Sequence, residues 1–131
     1  MYKLPKPLYH GTYAGAAILV GIRGFRAPIY LAEDKRIARH YARAAAAYVE
    51  DYAEREGIKL LKKGYAIFTF YSLPNRAYLV PDTYATEERG QWIYLRPIRG
   101  LQHYTVRYYP LVASKGERLR LYTFAIGMWG G

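Results

Sequence analysis

Leu8-Tyr9-His10-Gly11-Thr12, followed by Ile29-Tyr30-Leu31-Ala32, decides how this chain is read. Each is a short apolar run ending in groups that can handle a flat, polar ligand. The first offers an imidazole and a glycine with no side chain in front of its backbone. The second offers a phenol. Tyr41, eleven residues after Tyr30, offers another. Leu8–His10 reads as a short strand after a proline-bounded arm. Tyr13–Ile22 predicts a short helix that stops near Gly21 or Gly24. Pro28 opens an edge-like strand running through Leu31.

Outward from these runs, Asp34–Glu56 is the strongest helix. Asp34 can cap it by accepting backbone N–H bonds, and Gly57 suits its far end. Ile37, Tyr41, Ala45, Tyr48 and Tyr52 recur at helical spacing and predict one apolar stripe. Lys35, Arg36, Arg39 and Arg43 lie toward the start, and Glu50, Asp51, Glu54 and Glu56 toward the end, against the helix dipole. Tyr65–Ser72 is apolar on both alternations and predicts a central strand. Leu73-Pro74-Asn75 reads as a turn. Ala77–Val80, Gln91–Leu95, Tyr104–Tyr109 and Arg118–Ile126 read as further strands, the last two separated by a turn at Ser114-Lys115-Gly116. One short and one long helix thus precede several strands, which indicates α+β rather than alternating α/β.

The length of 131 residues fits a single domain spanning 1–131. Chains near this size bury roughly two thirds of their unfolded surface. There is no cysteine, which excludes disulfides and thiolate chemistry. No apolar run reaches the roughly 18 residues of a membrane span, and Met1–Pro7 lacks a signal-peptide core. The expectation is a soluble, cytoplasmic protein with no membrane partner. The net charge of +10 divides as +3 over residues 1–33, +3 over 34–63 and +4 over 64–131. That reads as an even excess, a general attraction to polyanions rather than a defined surface. Sixteen tyrosines and many arginines, beside one asparagine and two methionines, give a thermophilic composition.

In order and spacing these segments resemble the ADP-ribosyltransferase superfamily, in its His-Tyr-Glu branch, which includes the poly(ADP-ribose) polymerase catalytic domains. The resemblance rests on Leu8–Thr12, Ile29–Ala32 and Tyr41, covers residues 8–45 well and extends loosely over 64–98. It implies a split antiparallel β-sandwich with one short and one long helix in the N-terminal half. It implies NAD as substrate. His10 would bond a ribose hydroxyl, Gly11 would offer its N–H and C=O to the nicotinamide amide, and Thr12 would support the turn. Tyr41 would stack on the nicotinamide and Tyr30 line the opposite side, an arrangement favoured by a cationic ring against aromatic faces. The family's glutamate opens a late strand and stabilises the ribosyl cation as nicotinamide leaves. Here Gln91 stands at that place, able to bond a hydroxyl but carrying no charge. Glu88 and Glu87, just upstream, are the carboxylates within reach. Loss of one charge contact of this kind costs about 10²–10³ in rate, so the resemblance covers both a transferase and a catalytically impaired relative.

Other motifs point nowhere sharper. Gly21-Ile22-Arg23-Gly24 reads as a helix stop, with Arg23 and Arg26 as candidate contacts for a pyrophosphate. His10, His40 and His103 share no metal-ligand spacing. Ser72 and Ser114 carry no nucleophile motif and read as turn residues. Arg/Tyr alternation in His103–Tyr109 and Arg118–Tyr122 suggests either phenols stacking nucleic-acid bases or phenols shielding a sheet face. Three function classes follow: an NAD-binding ADP-ribosyltransferase-like domain acting on nucleic acid or protein, a non-enzymatic basic DNA- or RNA-binding protein, and an oligomerising interaction protein.

Overall fold

A computed structural model describes residues 1–83 and 90–129. The fold is α+β: a six-stranded antiparallel sheet with three α-helices. In chain order these are β1 (Tyr2–Tyr13), α1 (Ala14–Arg23), β2 (Ile29–Ala32), α2 (Lys35–Glu56), β3 (Tyr65–Leu73), β4 (Leu79–Pro81), β5 (Gln91–Tyr94), β6 (Tyr104–Tyr109) and α3 (Lys115–Trp129). The strands lie in the order β4-β5-β2-β1-β3-β6.

The pairing is uneven. β1 and β3 share eight register pairs, interrupted by an irregularity between Lys3 and Leu8 where Pro5 and Pro7 supply no N–H. β3 and β6 share six. By contrast β1 meets β2 at one pair, Tyr9 opposite Ala32. The sheet is therefore two three-stranded halves, β4-β5-β2 and β1-β3-β6, joined at a narrow seam. β2 is an inner strand rather than the edge that Pro28 suggested; its place is set by pairing with β5 from Ile29–Tyr94 to Ala32–Gln91.

Alternation sends side chains to two cores. On one face Leu8, Ile29, Leu31, Phe68, Phe70 and Tyr94 pack with Phe25 and Ile98. On the other, Ile67 and Tyr65 of β3 meet Ala38, Ala42 and Ala47 of α2, with Leu121 and Ala125 of α3 behind. α2 follows the expected bounds. Asp34 accepts from Arg36 N at 2.9 Å, and Gly57 closes the helix at φ 66°. Its buried face, however, is alanine. Tyr48 and Tyr52 of the expected tyrosine stripe are exposed. Small side chains let the helix axis approach the sheet, where a tyrosine stripe would hold it off.

The clearest departure is the C-terminal segment. Arg118–Ile126 is not a strand but part of α3. Leu121 and Ala125, four residues apart, are the buried positions. Glu117 N donates to Ser114 Oγ at 3.1 Å, while Ser114 N donates to Glu117 Oε1 at 3.4 Å, the reciprocal cap of a helix start. Leu79–Pro81 is shorter than the expected Ala77–Val80 strand because Arg76–Tyr78 form a 3-10 turn, capped by Asn75 Oδ1 accepting from Ala77 N.

Candidate functional site

The first motif ends at the seam. Past the Tyr9–Ala32 pair, β1 keeps its ladder to β3 through Tyr13 but forms no further register pair with β2. His10 spans the opening. Its Nδ1 lies 2.8 Å from the Tyr30 carbonyl. A carbonyl only accepts, so Nδ1 carries the proton and Nε2 of the neutral ring is left as an acceptor. The ring is half-buried, edge-on to Phe25 at 5.4 Å between centroids and tilted against Phe68 at 6.1 Å. Burial lowers its pKa below the ordinary histidine value, and the bond to the Tyr30 carbonyl pulls the other way.

The other residues named from sequence do not all converge on this bridge: Tyr30 and Gln91 lie on the opposite sheet face from the imidazole, and Tyr41 packs toward α3. Tyr30 leaves its phenol 56% exposed beside it. Register places the Tyr30 side chain on the Tyr9–Ala32 face and the His10 imidazole on the opposite one, so the two meet through backbone rather than ring to ring. Gly11 sits under α2: a Cβ there would collide with the Ala38 carbonyl oxygen and lie 2.8 Å from Ala42 Cβ. Its missing side chain is thus required by the helix, a reason the sequence did not disclose. Thr12 pairs with Ala66 in the sheet and stays half-buried. Tyr41 is half-buried on α2, its ring 5.6 Å from Phe124 of α3 and 6.3 Å from His40.

Gln91 opens β5 as expected and stands opposite Ala32, which makes Tyr9, Ala32 and Gln91 one row across three strands. Gln91 and Tyr30 share that face, two positions apart along the β2–β5 ladder. Glu87 and Glu88 lie outside the described residues. A carboxylate that the sequence reading passed over is Glu33, directly after the Ile29–Ala32 run. Its backbone N–H donates to Gly90 O at 2.8 Å, and Trp92 Nε1 reaches its Oε2 at 3.5 Å. Its position after the motif, beside the cap Asp34, was the available signal.

A second histidine is also buried. Ser72 Oγ lies 2.9 Å from His103 Nδ1, with the residues 5% and 4% exposed. Ser72 is inside β3 rather than in a turn. The pair is closed to a substrate and acts as a satisfied polar contact within the core. Burial lowers the His103 pKa. Among the described residues no group of three metal-ligating side chains converges, and no helix is long and apolar enough to cross a membrane. No family model, curated protein or solved structure matches the chain.

Proposed function

We propose that this chain is an ADP-ribosyltransferase-like domain that binds NAD at the seam between its two half-sheets. In this reading the two halves are those of the superfamily's split β-sandwich. The observation that carries it is the His10 bridge: one ring nitrogen fixed to the Tyr30 carbonyl, the other left as an oriented acceptor where the strands part. A ribose hydroxyl is a donor of the right kind for Nε2. The order of elements supports the same reading, with a 10-residue helix after the first motif and a 22-residue helix after the second.

NAD is the substrate. Tyr30 and Tyr41 supply aromatic surface for the nicotinamide and Gly11 its backbone, while Thr12 of β1, paired with Ala66 of β3, adds a hydroxyl beside them. Gln91 bonds a hydroxyl of the reacting ribose, and Glu88 supplies the carboxylate where transfer occurs. The acceptor is a nucleic acid or a protein. If Gln91 acts without a carboxylate, turnover falls by the charge contact it lacks, about 10²–10³, and the domain is a binder rather than an efficient transferase.

Calorimetry with NAD tests the binding, and labelled NAD tests transfer and hydrolysis. His10→Gln and Tyr41→Ala should each weaken NAD binding while the urea midpoint stays close to that of the parent. Absence of NAD binding together with absence of both reactions would reject the proposal. Loss of binding only in step with loss of folding would remove His10 and Tyr41 from the site.

A further inference from the structure

The charge is far from even once it is placed on the fold. Residues 57–81 and 90–116 contain eight lysines and arginines and no aspartate or glutamate, which accounts for eight of the ten excess charges. These segments supply β3, β4, β5 and β6 with their connections: Lys59, Lys62 and Lys63 precede β3 and Arg107 lies on β6, while Arg76, Arg96 and Arg99 flank β4 and β5. Carboxylates gather instead on the α2–α3 side, where Glu50 pairs with Arg118 at 3.3 Å, Asp51 with Arg55 at 2.9 Å and Glu117 with Arg43 at 3.4 Å.

β6 is the terminal strand of the sheet. Its Arg107 and Tyr108 are exposed, Tyr108 to 39%. Alternation sets Tyr108 on one face and Arg107 with Tyr109 on the other. Each phenol has a cation over it: Lys62 Nζ is 5.2 Å from the Tyr108 ring centre, and Arg39 Cζ is 5.9 Å from that of Tyr109. Among the described residues none of Arg39, Lys62 and Arg107 forms an ion pair. Charge alone on an edge strand serves to repel another strand. That role leaves the exposed Tyr108 unexplained, whereas Tyr109 stacks on Tyr65 at 5.3 Å and packs against the second core. An exposed phenol flanked by cations is an element by which proteins hold unpaired bases and their phosphates.

We infer that the β6 edge, from Arg107 to Tyr109 with Lys62 and Arg39, binds single-stranded nucleic acid. Tyr108 stacks a base, and the three cations meet phosphates. A duplex hides its base faces and fits this edge poorly. The inference stands apart from NAD and is tested without it.

The test is fluorescence anisotropy with labelled oligouridine and oligothymidine of about 15 nucleotides, a duplex of the same length, and a salt titration. Both single strands, or the RNA strand alone, should bind more tightly than the duplex. Tyr108→Ala should weaken binding about tenfold to a hundredfold, and Tyr108→Phe should restore it. Lys62→Ala should reduce the slope of log K against log salt by about 0.7. Arg96→Ala, at the opposite end of the sheet, should stay within about twofold, since it removes only diffuse charge. Failure to bind either single strand at about 50 mM salt overturns the inference. So does duplex binding as tight as that of single strands, or Tyr108→Ala and Lys62→Ala behaving as the parent.

Discussion

At the scale of residues, Gly11 carries a packing constraint that its sequence context does not show. Its sequence context, between His10 and Thr12, points to a backbone exposed for a ligand. The Ala38 carbonyl occupies the place where a Cβ would go. A backbone atom of a 22-residue helix does not swing aside as a side chain tip does. Gly11→Ala should therefore cost about 1–3 kcal/mol by overpacking, read as a lower urea midpoint with unchanged m-value. A variant as stable as the parent would mean that α2 is less closely seated on β1. His10 and His103 give a pH dependence at the same scale. Both have pKa values lowered by burial. The unfolded chain, with values near 6.5, then binds more protons than the folded one in the window below that pH. Stability should be full above about pH 7 and fall as pH drops through 6.5 toward the lowered folded values. Asp34 and Glu117, whose values are lowered from 3.8 and 4.5 by their bonds to Arg36 and Ser114, act only at more acid pH. Urea midpoints at pH 7.5 and 5.5 isolate the histidines. His10→Gln should flatten the difference, and an equally steep fall in that variant would shift the effect to His103.

At the scale of elements, legibility followed whichever signal had no rival. α2 was readable to within a residue because Asp34, Gly57 and a long helical spacing agree. β6 was readable because Pro110 ends it and no helical spacing competes. α3 was misread because Leu119, Leu121, Thr123 and Ala125 alternate with Arg118, Arg120, Tyr122 and Phe124. Over eight residues, that alternation also contains the i, i+4 pair Leu121–Ala125 that the fold buries. The deciding signal was local. Ser114 and Glu117, three apart, form a reciprocal cap, and the reading took Ser114-Lys115-Gly116 for a turn. Ser114→Ala removes the acceptor for Glu117 N and should cost about 0.5–2 kcal/mol. Circular dichroism should keep its helical signal, with a lower thermal midpoint. A variant with no loss would show that Leu121 and Ala125 packing on α2 sets the helix start without the cap. The candidate site was legible in part for a related reason. His10, Tyr30 and Gln91 fall on strands, where position along the chain fixes the row. The contact that organises them, His10 to the Tyr30 carbonyl, depends on where two strands part, and no local pattern encodes that.

For the whole molecule, the seam makes stability uneven. β3 is paired on both sides, with eight register pairs to β1 and six to β6, and its residues are almost all buried. β5 is four residues long, has three register pairs to the three-residue β4, and its half-sheet meets the rest of the ladder at Tyr9–Ala32 alone. Shared apolar packing opposes separation, because Ile29, Leu31 and Tyr94 lie in the same core as Phe68 and Phe70. Across the junction the strand ladder adds one register pair and His10 adds a side-chain bond to the Tyr30 carbonyl. Segments with fewer cooperative partners open at lower free energy. Native-state hydrogen exchange should therefore show the amides of β1 and β3 exchanging only through global unfolding, with the full denaturant slope. Amides of β4 and β5 should exchange through a smaller opening with a shallower slope. If β5 and β3 share one free energy and one slope, the two halves unfold as a single unit and the seam is no weaker than the rest of the sheet. If NAD occupies the seam as proposed, saturating NAD should raise the opening free energy of β2 and β5 together with the global value of β3, each by the amount its free concentration over Kd dictates. Ligand that raised only the global value would be bound elsewhere.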